Sequence, residues 1–173
     1  MDICKIVDDT VTSWQGIHPE LGFESMGVML KVNALVNKMT ANIRGVTESH
    51  GVTMGEFDVL ATLRRHGPGA SLTPSYIADV ALVSPSGLTH RLTQLEKAGH
   101  IVRHPDPNDR RSFHISISES GAEIADHIIR YITQVSNGVF EKLSTTRQAD
   151  FVREIEQCVG EAERATPWLT LST

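Results

Sequence analysis

The 173-residue sequence is poor in several residue types that mark particular classes of protein. Its two cysteines, Cys4 and Cys158, lie near opposite ends of the chain and outside any CxxC or histidine spacing. This pattern argues against a disulfide framework and against a zinc site. No stretch approaches the roughly 18 apolar residues of a membrane span, and the acidic N-terminus differs from a signal peptide. We therefore expect a cytoplasmic protein with no membrane association, no metal and no cofactor.

Sequence motifs of catalysis are also lacking. Eight histidines and 21 carboxylates are available, but they form no nucleophile motif, no metal-ligand spacing and no phosphate-binding loop. The formal net charge of -5 argues against a chain that coats nucleic acid along its whole length, although it leaves local basic patches open. We therefore predict no enzymatic activity and no catalytic residues.

The apolar residues that are present follow a helical period over much of the chain. This period predicts helices over residues 3–14 and 25–50, and again in the C-terminal segment. Thr53 and Glu56 resemble a capping box, which predicts the start of a further helix. The pair Thr73–Pro74 predicts a short helix after it. Ser84, followed by proline, predicts the cap of another helix that stops at Gly99.

A β-hairpin is predicted directly after Gly99. The stretches "HIVRH" and "SFHISIS" are β-branched or alternating, and they flank the turn "PDPNDRRS". Three helices followed by a hairpin predict a mainly α chain that contains a winged helix-turn-helix. The segment 84–115 carries five basic side chains against three acidic ones, so the charge that DNA requires is concentrated there.

The stretch "SPSGLTHRLTQLEKAGHIVRHPDPNDRRSFHISISESG" resembles the MarR family of bacterial transcriptional regulators. The resemblance covers nearly the whole chain and implies a homodimer joined by its terminal helices. It implies an extra helix and a dimerisation helix in residues 1–50, a winged helix-turn-helix in 51–118 and C-terminal dimerisation helices in 119–173.

The resemblance also implies which residues bind operator DNA. The recognition helix would enter the major groove, where hydroxyl groups and helix N-terminal amides suit phosphates and base edges. An arginine at the wing tip would enter the narrow, negative minor groove, and Asp109 would orient it through a charge-assisted hydrogen bond. The expected DNA-binding residues are Ser84, Ser86, Thr89, His90, Arg110 and Arg111.

A tryptophan in an additional N-terminal helix resembles the urate-responsive subgroup of that family. The ligand-site pattern of that subgroup falls on Trp14, Asp58, Arg91 and Arg103. Urate is a flat monoanion, so an aromatic side chain and a planar guanidinium suit it. Asp58 lies among apolar neighbours, and a buried carboxylate requires a partner such as Arg91 or Arg103. An arriving anion would compete for that partner and be repelled by Asp58.

Three alternatives to a urate response remain open from the sequence. Phenolic or other aromatic acids could fill the same kind of pocket, and oxidation of a cysteine could replace the ligand altogether. A constitutive architectural DNA-binding protein would share the wing without needing the four ligand-site residues. The sequence leaves open the operator, the target genes, and whether the protein represses or activates them.

Overall fold

The computed structural model describes residues 2–81, 87–106 and 112–164. Within these ranges the chain is mainly helical, with one antiparallel two-stranded hairpin, and this confirms the predicted fold class. None of the described helices is both long and apolar enough to cross a membrane. The elements in chain order are α1 (Ile3–Ile17), α2 (Glu24–Ser49), α3 (Met54–Arg65), α4 (Pro74–Val80), α5 (Leu88–Lys97), β1 (Ile101–Pro105), β2 (Phe113–Ile117), α6 (Glu119–Phe140) and α7 (Thr145–Arg164).

The predicted start signals of α3 and α4 are confirmed. The Glu56 amide donates to Thr53 Oγ1 over 3.2 Å, and the Thr53 amide donates to Glu56 Oε2 over 2.7 Å. This reciprocal pair satisfies two amides that the first helical turn leaves without a partner. Thr73 caps α4 by a single bond, in which the Tyr76 amide donates to Thr73 Oγ1 over 3.2 Å, and Pro74 stands at the first helical position.

The predicted start of α5 is wrong. We expected Ser84 as the cap and Pro85 as the first helical residue, but α5 begins at Leu88 with Gly87 as its cap. Gly87 has a φ of 80°, a left-handed conformation that glycine adopts without a steric penalty and that a right-handed helix excludes. Ser84 and Ser86 lie outside the described residues.

The hairpin pairs Ile101 with Ile117 and His104 with His114 in antiparallel register. Leu72, just before α4, adds a third backbone partner, because it exchanges two hydrogen bonds with Ile115 at 2.8 and 2.9 Å. These bonds tie the hairpin to the helix-turn-helix, so the hairpin has a fixed direction relative to α4 and α5.

Residues 1–132 form one compact unit, and residues 133–173 form a second one, which is described as far as Arg164. The core of the first unit joins α3, α4, α5, the hairpin and the first half of α6. Its buried side chains are Val52, Phe57, Val59, Leu60, Leu63, Ile77, Leu92, Leu95, Ile101, Ile115, Ala125 and Ile128. A bidentate ion pair between Arg64 and Asp126, with both N–O distances 2.8 Å, links α3 to α6 at the edge of this core.

Helix α1 lies antiparallel to α2 within the first unit. Val7 is its buried residue, and Asp8 forms an ion pair with Lys31 of α2 at 2.7 Å. The predicted helix ended at Trp14, whereas α1 continues to Ile17. Most of the apolar face of α2 remains exposed in the single chain, including Val28, Met29, Val32 and Val36.

The second unit contains the C-terminal end of α6 and the helix α7. The rings of Phe140 and Phe151 lie 6.1 Å apart, and the Gln148 amide group donates to the carbonyls of Phe140 and Leu143. No residue of α7, which is described from Thr145 to Arg164, is buried. Its apolar residues Val152, Ile155 and Val159 are 37–52% exposed.

Candidate DNA-binding and ligand site

The recognition helix α5 has one buried face and one exposed face. Leu92 and Leu95 are 2% and 1% exposed, and they anchor the helix in the core. Thr89 and His90, in the first turn, are exposed, so they are accessible for the DNA contacts that we predicted. The other predicted DNA-contacting residues, together with Asp109, lie outside the described residues; they are Ser84, Ser86, Arg110 and Arg111.

Arg91 extends from α5 across the first turn of α3. A Cβ atom built on Gly55 would lie only 2.4 Å from Arg91 Nε and 2.8 Å from Arg91 Cζ. The guanidinium group therefore occupies the space that a side chain at position 55 would fill. Asp58 follows Gly55 by one helical turn, so the two residues share a face of α3. Asp58 is buried, at 9% exposure, which confirms the predicted burial of this carboxylate.

Arg103 lies at the junction between α5 and the hairpin. Its Nε atom is 2.9 Å from Glu96 Oε2, and its Nη2 atom donates to Thr93 Oγ1 over 3.2 Å. The Glu96 contact is electrostatic, because the N–H group at Nε does not meet the geometry of a hydrogen bond. The guanidinium carbon also lies 4.8 Å from the centre of the Phe113 ring, within cation–π range. Glu96 is thus the carboxylate partner of Arg103.

Trp14 lies near the C-terminal end of α1 and is 46% exposed. Its ring stacks on that of His18, with centroids 6.2 Å apart and an interplanar angle of 18°. An exposed indole at this position has ring surface available for a flat ligand. Of the four predicted ligand residues, Arg91 lies against Gly55, one helical turn before Asp58 on α3. Arg103 and Trp14 are held at the hairpin junction and at the end of α1.

Two polar pairs brace the hairpin near its tip. His114 Nε2 lies 3.0 Å from Asp106 Oδ2, and His104 Nε2 lies 2.8 Å from Ser116 Oγ. The Asp106 amide also donates to the Ser112 carbonyl over 3.1 Å, which closes the root of the predicted wing. Among the described residues, no group of three histidine, cysteine or acidic side chains could hold a metal ion.

Gly55 and Glu96 are functional candidates that the sequence prediction missed. Alanine is favoured over glycine inside helices, so a glycine in the first turn of a well-capped helix was the available signal for Gly55. Glu96 carried no such signal, because surface helices commonly contain acidic residues. Its pairing with Arg103 depends on how the hairpin folds back along α5.

The sequence is similar to known transcriptional regulators. A sequence model described as the MarR family matches residues 50–112. The HTH-type transcriptional regulator PecS of Dickeya dadantii is 33% identical over 126 residues, which are 71% of this chain and 74% of that protein. The multiple antibiotic resistance protein MarR of Escherichia coli is 29% identical over 61% of this chain and 69% of its own length.

Solved structures share the fold at lower sequence identity. The Staphylococcus aureus MepR–DNA complex gives a TM-score of 0.66 at 16% identity, over 78% of this chain and 95% of that one. The apo form of wild-type MarR from E. coli gives 0.59 at 22% identity, over 73% and 92%. At these identities the structural likeness supports the fold, and the sequence matches support the family.

Proposed function

Because this chain belongs to the MarR family of DNA-binding transcriptional regulators, we propose that it is a homodimeric repressor released from its operator by urate or a related flat anion. The observation that carries the proposal is the position of Arg91. This residue belongs to the recognition helix, yet its guanidinium lies against α3 at Gly55, on the face that bears the buried Asp58. A ligand that pairs with Arg91 therefore acts directly on the recognition helix.

The chemistry of the site suits a planar monoanion. A guanidinium pairs with two oxygens at once, and a bidentate pair of this kind fixes the plane of the ligand. The exposed indole of Trp14 offers an aromatic wall at the end of α1. The buried carboxylate of Asp58 disfavours an anion beside Arg91 unless the arginine moves with it. Arg103 stays a predicted ligand residue, whose release from Glu96 would loosen the hairpin from α5.

Two copies of the chain are proposed to form the DNA-binding unit. Helices α2 and α7 expose more apolar residues to water than is usual for a monomeric protein. A two-fold dimer places two recognition helices roughly 34–36 Å apart, one turn of B-DNA, and predicts a pseudo-palindromic operator.

Ligand-driven release requires that urate bind one conformation better than the other. We propose that Arg91 seated on α3 accompanies the DNA-binding conformation, and that an anion stabilises the conformation in which Arg91 has left this position. Asp58→Asn keeps the shape of the side chain and removes the repelled charge. This variant should bind urate and release DNA poorly.

The experiment is a titration of urate into the complex of the protein with labelled operator DNA. Binding is followed separately by Trp14 fluorescence in a Trp168→Phe background, because the chain contains two tryptophans. We expect quenching and release in the parent, and quenching without efficient release in Asp58→Asn. If Asp58→Asn releases DNA at the same urate concentration as the parent, charge repulsion is not the mechanism.

Parallel titrations distinguish the other signals. Release by salicylate but not by urate would replace urate with a phenolic acid as the effector. Release by peroxide that is lost in the Cys4→Ser, Cys158→Ser double variant would replace the ligand with oxidation. If none of these treatments releases DNA, the proposal of a ligand-responsive regulator is wrong.

A further inference from the structure

The backbone conformation at position 55 does not require a glycine. Gly55 lies within the first turn of α3 and is not one of the glycines with a positive φ, and alanine is more favourable than glycine at an ordinary helical position. Some glycines in other helices have open space where a side chain would be, as Gly45 of α2 does, whereas a Cβ on Gly121 of α6 would lie 2.1 Å from the His100 carbonyl oxygen. At Gly55 the corresponding space is occupied by Arg91.

The contact is too close for any larger residue to share that space. A Cβ on Gly55 would lie 2.4, 2.8 and 3.1 Å from Nε, Cζ and Cδ of Arg91, whereas unbonded carbon atoms pack at about 3.5–4.0 Å. One of the two partners would have to move. The α3 backbone is held by the Thr53–Glu56 capping box and by its buried face, and α5 is held by its buried leucines. The flexible end of the Arg91 side chain is the part that yields.

From this geometry we propose that Gly55 is the positioning residue that sets the rest position of Arg91 and thereby the ligand threshold of the regulator. The expected change in urate response rests on the proposed function, whereas the expected change in DNA affinity rests only on the contact between Gly55 and Arg91. The bare first turn of α3, which we call the Gly55 seat, holds the guanidinium on α3. A planar anion must draw the guanidinium off this seat before the recognition helix responds.

A single methyl group at position 55 therefore mimics part of the action of the ligand. Gly55→Ala expels Arg91 from the seat without changing any charge or any residue of α5. The free protein shifts toward the conformation that the anion favours, so DNA affinity should fall and apparent urate affinity should rise. We expect changes of about fivefold to tenfold in each, at the lower end of typical allosteric coupling.

The matched control is Gly45→Ala. It makes the same substitution inside a helix, where an added Cβ meets no atom within 4 Å. Both variants gain helix propensity, so only Gly55→Ala should alter operator affinity and the urate concentration for half-release. If Gly55→Ala matches Gly45→Ala in both measurements, the seat has no role in positioning Arg91.

A double-mutant cycle tests whether the effect passes through Arg91. In an Arg91→Ala background the clash is absent, so Gly55→Ala should leave operator affinity unchanged. A loss of affinity that persists in this background overturns the proposal. Should Gly55→Ala alone fail to fold, restored folding in the Gly55→Ala, Arg91→Ala double variant supports the seat, and continued failure overturns it.

Measuring operator affinity and urate release separately distinguishes this inference from the proposed effector. The cycle on operator affinity uses no ligand, so its outcome concerns the seat alone. If the cycle succeeds while urate releases neither the parent nor Gly55→Ala, the seat stands and the urate hypothesis fails. If urate releases the parent and Gly55→Ala at the same concentration, the seat does not set the ligand threshold.

Discussion

Helices α3 and α7 both carry apolar residues but have very different surroundings. Seven of the twelve residues of α3, which is described throughout, are buried within the chain. In the described helix α7, none of the twenty residues is buried. Both helices are amphipathic, so an apolar face by itself does not decide whether a helix is buried within the chain. Helix α3 completes its packing within one chain, whereas the exposed face of α7 has the properties expected of a surface that packs against a second copy.

This comparison separates two kinds of stability. Substitutions in α3 should lower the free energy of unfolding of each chain at any concentration. Substitutions on the exposed face of α7 should act through association, so their effects should depend on protein concentration. Four substitutions test this separation. In order of decreasing expected effect, they are at Leu60, Ile155, Arg111 and Asp126.

Leu60→Ala should have the largest effect. Leu60 is 0% exposed in the centre of α3, and replacing a buried leucine with alanine removes packing and leaves a cavity. We expect a loss of about 2–5 kcal/mol in the free energy of unfolding. Urea denaturation at two protein concentrations measures it. A loss below about 1 kcal/mol would contradict the burial that distinguishes α3 from α7, and Val159→Ala on α7 is the matched control.

Ile155→Ala should weaken the dimer. Ile155 is 37% exposed in the single chain, and the proposed interface would cover it in both copies. We expect the dimer dissociation constant to rise about tenfold to hundredfold, which corresponds to roughly 1.4–2.8 kcal/mol. Analytical ultracentrifugation over a concentration series measures this change. An unchanged dissociation constant would place the dimer interface elsewhere, and a parent protein that is monomeric at micromolar concentration would exclude the dimer.

Arg111→Ala should weaken DNA binding and leave stability unaffected. Arg111 lies outside the described residues, and its role in the minor groove stays a prediction from the sequence. The salt slope of the binding constant should fall by about one unit for each phosphate that the variant no longer neutralises, and by twice as much in a dimer. Fluorescence anisotropy at several salt concentrations measures the slope. Unchanged slopes in both Arg110→Ala and Arg111→Ala would show that the wing does not touch DNA.

Asp126→Asn should have the smallest effect, and that effect should depend on pH. The hydrogen bond from Arg64 holds the pKa of the Asp126 carboxyl below its ordinary value of 3.8. A carboxyl with a lowered pKa stabilises the folded state above its ordinary pKa, and this contribution disappears as pH falls through the lowered value. The stability difference between parent and variant should therefore be present at pH 7 and vanish in acid. Thermal melts from pH 7 to pH 2 test this, and a difference independent of pH would refute it.

Local sequence signals determined most of the fold. The Thr53–Glu56 capping box, the apolar period and the alternation around the wing turn each act over a few residues, so they predicted helices and the hairpin without knowledge of the rest of the chain. The start of α5 was missed for the same reason. Ser84 and Pro85 form a strong local signal for a helix start. The left-handed conformation of Gly87 nevertheless excludes this glycine from the helix, which begins at Leu88.

The sequence alone, through its resemblance to the urate-responsive subgroup, predicted which residues the candidate ligand site contains, namely Trp14, Asp58, Arg91 and Arg103. Only the tertiary structure decided what each of them touches. Arg91 meets Gly55 because α5 packs against α3, and Arg103 meets Glu96 because the hairpin folds back along α5. Such contacts depend on the packing of helices through their buried faces, and periodicity identifies a buried face without naming its partner.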